Sequence, residues 1–163
     1  MSKTNENLMA AFAGESQANR KYLAFAAKAE EEGYPRAAAM FRAAAMAETV
    51  HALSHFRAAG KVGSTADNLK AAAEGETFEF EKMYPPMIDQ AKADGNSDAE
   101  RSFNFANSAE QVHASLYKEV LEALKKGDVT DYYVCSVCGN VEKGSAPDKC
   151  SICGAGKDKF DKA

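Results

Sequence analysis

Apolar residues recur at helical spacing along most of this chain, and short clusters of helix-breaking residues interrupt the pattern. Each cluster pairs a glycine suited to a helix end with a proline, serine, aspartate or threonine suited to the next helix start. The clusters separate four long segments, at residues 5–32, 35–59, 66–94 and 98–126. Four helices of about 25 residues with short connections predict a mainly α protein, an antiparallel four-helix bundle.

Two apolar faces illustrate the helical spacing. One contains Tyr22, Phe25, Ala26 and Ala29, and the other contains Val112, Leu116, Val120 and Leu124. The third segment is interrupted by Pro85 and Pro86, which lack the backbone N–H that a helix interior uses. We therefore expect a kink or break near Tyr84.

The pattern changes after Gly127. A short stretch that begins at Tyr132 carries β-type residues, four glycines and all four cysteines of the chain. It is too short to bury a core of its own, so it needs a bound metal to fold. The sequence therefore predicts two domains, a helical domain at 1–128 and a small cysteine domain at 129–163.

Composition and charge narrow the classes of function. The chain is 45% hydrophobic and 27% charged, which is a globular composition. A net charge of −4 offers no basic surface for nucleic acid or acidic membranes, and no apolar run is long enough to span a bilayer. The N-terminus lacks the apolar core of a signal peptide. We expect a cytoplasmic protein whose paired cysteines bind metal in a reducing compartment.

A Glu-x-x-His motif occurs twice, as Glu48–His51 in the second segment and Glu110–His113 in the fourth. Residues three apart lie on one helix face, so each pair can reach one metal centre. Two such helices, with carboxylates from two others, form the di-metal sites of helical bundles. The candidate ligands are Glu15, Glu48, His51, Glu76, Glu79, Glu110 and His113. Carboxylate and imidazole ligands favour iron or manganese.

The cysteines form two matching motifs, Cys135-Ser-Val-Cys138-Gly139 and Cys150-Ser-Ile-Cys153-Gly154. Each motif lets two thiolates share one metal, and the glycine after it lets backbone N–H groups turn towards the sulfurs. The spacing predicts one tetrahedral four-cysteine site. It fits either structural zinc or a single redox-active iron.

Taken in order, these motifs resemble those of the rubrerythrin family over nearly the whole chain. The matching residues are Gly14-Glu15-Ser-Gln-Ala18 with Tyr22, Glu48-Thr-Val-His51, Gly75-Glu76-Thr-Phe-Glu79 with Met83-Tyr84-Pro85, and Glu110-Gln-Val-His113. The resemblance implies a ferritin-like di-iron bundle followed by a rubredoxin-like domain with iron at Cys135, Cys138, Cys150 and Cys153. The sequence departs from this pattern at Asn140, where related domains often have an aromatic residue, and at Ser151, which replaces a frequent proline.

The resemblance also implies a role for each candidate ligand. Glu48 and Glu110 would bridge the two irons, and Glu76 and His113 would complete the ligands of one of them. The second iron would be bound by the remaining candidate ligands.

Glu15 would bind the second iron together with either His51 or Glu79, depending on the oxidation state. Glu79 is the residue that separates this family from most other ferritin-like proteins. Tyr22 and Tyr84 match family tyrosines that form hydrogen bonds near the irons.

The function implied by the resemblance is a non-haem peroxidase that reduces hydrogen peroxide to water and protects against oxidative stress. Electrons would come from an NAD(P)H-linked reductase or a rubredoxin, through the four-cysteine iron, to the di-iron site. The resemblance further implies a homodimer in which each cysteine domain serves the other chain's bundle, because one chain need not bring its own two sites together. Two alternatives remain: a ferritin-like protein that oxidises or stores iron, and a non-catalytic bundle with a structural zinc ribbon.

Overall fold

The computed structural model describes residues 2–163, which fall into two compact units. The first unit ends at Gly63 and the second begins at Ser64. Among the described residues, no helix has the length and apolar character needed to cross a membrane.

The first unit is a helical hairpin. Its helices are α1, Lys3–Glu31, and α2, Pro35–Ala58. The Ser2 hydroxyl accepts a hydrogen bond from the backbone N–H of Asn5 and caps the start of α1. Pro35 occupies the first turn of α2, where a helix has no use for its missing N–H. Gly33 has a φ of +79° and makes the reversal between the helices.

Small side chains form the interface of this hairpin. The buried residues are Ala26 and Ala29 on α1 and Ala38, Ala45 and Ala52 on α2. The three alanines of α2 are seven residues apart and so form one stripe along the helix. Asn19 donates a hydrogen bond of 2.6 Å to the Ala45 backbone carbonyl. Of the predicted face, Ala26 and Ala29 are buried, whereas Phe25 stays 47% exposed.

The second unit contains the remaining helices. They are α3, Thr65–Phe78; a π-helical turn, Glu79–Met83; α4, Tyr84–Ala93; and α5, Ser97–Glu122. The side chains of Ser64 and Asp67 form a reciprocal capping box at the start of α3. The Asn96 side chain caps α5 by accepting a hydrogen bond from the backbone N–H of Ala99.

The expected irregularity near Tyr84 takes the form of this π-helical turn. The Tyr84 backbone N–H donates to the Glu79 carbonyl, five residues back instead of four. Pro85 and Pro86 follow, and neither offers an N–H to the carbonyls of the preceding turn. The wider turn accommodates the proline rings, and it begins at a candidate metal ligand.

The cysteine domain lies in the second unit and contains a small antiparallel sheet. Its strands are β1, Tyr132–Cys135; β2, Val141–Lys143; and β3, Phe160–Lys162, in the order β2-β1-β3. Phe105 of α5 packs against the buried cysteines, and Lys143 of β2 forms an ion pair with Glu119 of α5. The domain therefore contacts α5 of its own chain. The domain boundary at 128/129 stays a prediction.

Candidate metal centres

The first helical hairpin gathers three of the predicted ligands. Glu15 on α1 and Glu48 and His51 on α2 offer donor atoms that all lie within 4.8 Å of one another. The His51 Nδ1 atom is 2.8 Å from Glu48 Oε2. The two glutamates are half-buried, whereas the His51 side chain is 55% exposed.

The second unit repeats this arrangement. Glu76 on α3 and Glu110 and His113 on α5 also offer donor atoms within 4.8 Å of one another. The His113 Nδ1 atom is 2.6 Å from Glu110 Oε2. His113 is only 20% exposed, so its surroundings are drier than those of His51. The repeated Glu-x-x-His motif therefore produces the same local contact twice, as residues three apart on a helix should.

His113 has a second contact, with the cysteine domain. Its Nε2 atom lies 2.9 Å from the backbone carbonyl oxygen of Gly139, in the first cysteine motif. A carbonyl oxygen only accepts, so Nε2 carries the hydrogen and the lone pair of the neutral ring lies on Nδ1. The cysteine domain therefore orients this imidazole so that Nδ1, beside Glu110, is the atom available to a metal.

Glu79 lies near the second group of ligands, Glu76, Glu110 and His113. Its carboxylate is not among the donor atoms of that group that lie within 4.8 Å of one another. Burial, and then the charge of Glu76, raise the pKa of the Glu79 carboxyl. Burial also raises the pKa of Tyr84, and the charges of Glu79, Glu110 and Glu76 raise it further. Glu79 and Tyr84 therefore share one electrostatic environment with the Glu76–Glu110–His113 group. Tyr22 instead packs against Phe25 and Phe41, with its ring centroid 6.3 Å from each of theirs.

The carboxylates of the second group fit a cation. Burial raises the pKa of Glu76, and a hydrogen bond to the Glu110 carboxyl together with the Glu110 charge raises it further. Two carboxyl groups in hydrogen-bond contact must share a proton unless a metal supplies the positive charge. Oxygen and imidazole donors in this arrangement suit iron.

The four cysteines come together as the spacing predicts. Their donor atoms lie within 4.8 Å of one another, with Cys135 and Cys153 sulfurs 3.7 Å apart and Cys138 and Cys150 sulfurs 3.6 Å apart. Gly139 has a φ of +79°, which a residue with a side chain rarely adopts. This conformation is what turns the backbone around the sulfurs.

The protein environment prepares one of these thiols for ionisation. Burial opposes ionisation of Cys150, but the backbone N–H groups of Cys153 and Ile152 and the neighbouring thiols outweigh burial and lower the pKa of Cys150 to about 7. Burial raises the pKa of Cys138. A cluster of four thiols with one acidic member fits a thiolate-bound metal.

Two features of these centres were not predicted from the sequence. One is the contact between His113 and Gly139, for which the sequence contains no signal because the residues are 26 positions apart. The other is Asn140, which is fully buried beside the sulfurs. Its presence at a position where related domains often have an aromatic residue was the available signal.

The raised pKa of Glu79 predicts a pH-dependent stability of the metal-free protein. A carboxyl whose folded-state pKa is raised stabilises the fold below its unfolded value of 4.5, and this contribution is lost as the pH rises through the folded-state pKa. In EDTA-treated protein, Glu79→Gln should therefore raise the free energy of unfolding at neutral pH. The gain should shrink as the pH falls towards 4.5. Urea unfolding at a series of pH values measures it.

Glu81→Gln is the matched control for this prediction. Glu81 lies in the same π-helical turn but is exposed. Its replacement should leave the free energy of unfolding unchanged at every pH. A stability difference between Glu79→Gln and the unaltered protein that does not vary with pH would contradict the prediction.

Comparisons with known families cover both parts of the chain. The family model described as Rubrerythrin matches residues 6–121. A second model, described as the rubredoxin-like domain of rubrerythrin, matches residues 133–161.

Individual relatives and solved structures agree. Rubrerythrin-2 of Clostridium acetobutylicum is 36% identical over 96% of this chain and 95% of its own length. Nigerythrin of Nitratidesulfovibrio vulgaris is 38% identical over 96% of this chain and 85% of its own length. A structure of nigerythrin in a partially reduced state has a TM-score of 0.61 and 36% identity, covering 100% of this chain and 88% of that one.

These matches confirm the predicted fold class, which is mainly α with a small C-terminal four-cysteine domain. The carboxylate and histidine groups correspond to a rubrerythrin di-iron site, and the four cysteines correspond to a rubredoxin-like site. A family match over most of the chain, with its metal-binding groups assembled in place, means that this chain belongs to the rubrerythrin family.

Proposed function

We propose that this protein is a non-haem di-iron peroxidase that reduces hydrogen peroxide to water and so protects against oxidative stress. The observation that carries the proposal is the hydrogen bond of 2.9 Å between His113 Nε2 and the Gly139 carbonyl. It joins a candidate ligand of the di-iron site to the cysteine domain within one unit. A protein that only stores iron has no need of this connection.

The proposed ligands of the two irons are the seven residues identified from the motifs. Glu48 and Glu110 would bridge the two irons, and Glu76 and His113 would complete the ligands of one iron. The other iron would be held by Glu15 with either His51 or Glu79. The exposure of His51, at 55% of its side chain, supports the exchange because a side chain in water moves at little packing cost.

Bound at these residues, the irons would supply the two electrons that convert hydrogen peroxide and two protons into two waters. The chain's own residues hold and deliver protons. Tyr84 keeps its hydroxyl hydrogen at neutral pH, and burial and the neighbouring carboxylate charges raise its pKa further above its usual value. While it is not bound to iron, Glu79 holds a proton more readily than an exposed glutamate does, because burial and the charge of Glu76 raise its pKa. The Tyr84 hydroxyl can therefore donate a hydrogen bond beside the proposed iron ligands, and so can the unbound Glu79 carboxyl.

The cysteine domain is proposed to receive electrons from an NAD(P)H-linked reductase or a rubredoxin, in the cytoplasm. From the cysteine sulfurs, the path to a di-iron ligand runs through Gly139 and one hydrogen bond to His113. The structure supports this path within one chain, so the distance argument for exchanging cysteine domains does not apply to the second unit. A homodimer remains part of the proposal on the resemblance alone.

Stopped-flow mixing of the fully reduced protein with hydrogen peroxide or with dioxygen tests the peroxidase proposal. We expect oxidation by peroxide to be the faster of the two, with water as the product. Equal or slower oxidation by peroxide, or mineral loading beyond a few irons per chain, would favour an iron-oxidising or iron-storing protein. Zinc in the cysteine domain without iron in the helical domain would favour a non-catalytic module.

A further inference from the structure

Asn140 is the one buried polar residue in the described part of the chain, with 0% of its surface exposed. Its side-chain nitrogen lies 3.8 Å from the Cys150 sulfur and 2.8 Å from Glu142 Oε1. Its backbone N–H forms a hydrogen bond to the Cys138 sulfur. One residue therefore donates to a sulfur of each cysteine motif.

The orientation of the Asn140 amide follows from its neighbours. A thiolate at Cys150 and a carboxylate at Glu142 both accept hydrogen bonds, so the nitrogen faces them and the oxygen points away. The Asn140 Oδ1 atom is buried without a hydrogen-bond partner, which is unfavourable. The amide keeps this orientation because turning it would place its oxygen against two acceptors.

The second cysteine motif shows that the backbone does not need this amide. Ala155 follows Gly154 as Asn140 follows Gly139. The Ala155 carbonyl accepts from the Cys150 N–H at 2.8 Å, as the Asn140 carbonyl accepts from the Cys135 N–H at 2.8 Å. Ala155 also donates its backbone N–H to a sulfur, that of Cys153. An alanine can therefore make every backbone contact that Asn140 makes, so the backbone of the motif does not require the side-chain amide.

We propose that the Asn140 side-chain amide is a positioning residue for electron transfer, which raises the reduction potential of the four-cysteine iron by donating to Cys150. The proposal rests on the proposed function, because it takes the metal there to be an iron that gains and loses one electron. On reduction from ferric to ferrous iron, the cluster of thiolates gains one negative charge. A hydrogen-bond donor aimed at a sulfur stabilises the more negative form, so it favours reduction.

Redox titration of the full-length protein, followed through the ferric thiolate absorption band, tests this role. Asn140→Leu removes the donor and nearly preserves the side-chain volume, so water does not fill the position. The equilibrium constant for reduction should fall about tenfold, which is about 59 mV for a one-electron couple. Asn140→Gln, which retains an amide, should recover part of the loss. An unchanged potential in Asn140→Leu would overturn the proposal.

Ser136→Ala is the matched control. Ser136 lies in the first cysteine motif, and its hydroxyl donates to the Lys159 carbonyl instead of to a sulfur. Its loss should leave the potential unchanged. A fall equal to that of Asn140→Leu would mean that any lost hydrogen bond in the domain has the same effect, and would also overturn the proposal.

A measurement on the unaltered chain covers the case in which Asn140→Leu does not fold. The protein is loaded with cadmium enriched in an NMR-active isotope, and scalar coupling is sought between the cadmium and the Asn140 side-chain amide protons. Coupling transmitted through the hydrogen bond to Cys150 supports the proposal, and its absence overturns it.

The two proposals fail in different ways. A cysteine domain without a ferric thiolate band would remove the redox role and with it the proposed function. A normal band with slow peroxide reduction would remove only the peroxidase activity. A normal band, with a midpoint reduction potential that does not change when Asn140 is replaced, would remove only the inference about the amide.

Discussion

Glu110→Ala is expected to lower the iron affinity of the helical domain by at least about 100-fold. Loss of a residue that only supports a metal ligand already lowers affinity by up to this factor, and Glu110 is itself a proposed ligand. Glu110 is the residue that connects its group. It contacts His113 Nδ1 at 2.6 Å and shares a hydrogen bond with Glu76. Its removal takes away a proposed bridging ligand. It also leaves His113 and Glu76 without the carboxylate that both of them contact. Iron counting after anaerobic loading, with the rate of oxidation by peroxide, measures the effect.

Glu122→Ala is the control for this variant. Glu122 lies at the end of α5, on the same helix as Glu110, and is exposed. Its replacement should leave both iron content and peroxide rate unchanged. If Glu110→Ala retained its full iron content and its peroxide rate, the assignment of Glu110 as a ligand would be wrong. Iron in the cysteine domain serves as the internal standard, since the variant should not alter it.

Cys150→Ala is expected to separate the two proposed redox sites. Its sulfur lies 3.6 Å from that of Cys138 and is the thiol whose pKa is lowered to about 7. Three thiolates leave the tetrahedral site open, so the domain should lose its iron. Turnover driven by a reductase should fall by at least about 100-fold. A single oxidation of chemically reduced protein by peroxide should keep its rate.

Ser151→Ala provides the comparison, because Ser151 is the exposed neighbour of Cys150 and carries no thiol. It should support normal turnover. Full reductase-driven turnover by Cys150→Ala would show that electrons reach the di-iron site without the cysteine domain. Loss of the single peroxide reaction as well would show that the cysteine domain is needed to keep the His113 imidazole in place through the Gly139 contact.

The local features of this protein could be read from its sequence. The four predicted segments agree with the helices to within a few residues, because helical periodicity and end signals act over one or two turns. The Pro85–Pro86 pair predicted an irregularity in the helix but not its type. A break, a kink and a π-helical turn can each accommodate residues that lack a backbone N–H. That choice depends on packing around the turn.

The ligand groups show the same division. Each Glu-x-x-His pair and each cysteine motif could be predicted, since their members are three residues apart and local geometry brings them together. Glu15 and Glu76 were candidate ligands from the sequence, but the role of each of them beside a Glu-x-x-His pair was implied only by the family resemblance. In the structure, each of them has a donor atom within 4.8 Å of the donor atoms of its Glu-x-x-His pair. This proximity depends on how separate helices pack.

The sequence by itself determined where the helices lie, which residues can bind metal and that the cysteines form one site, because all of these follow from short-range spacing. Only the tertiary structure decided that the Gly139 carbonyl meets His113 and that the Asn140 amide is buried against Cys150. It also decided that burial raises the pKa values of Glu76 and Glu79. These properties depend on which distant segments exclude water from a side chain, and no local pattern encodes that.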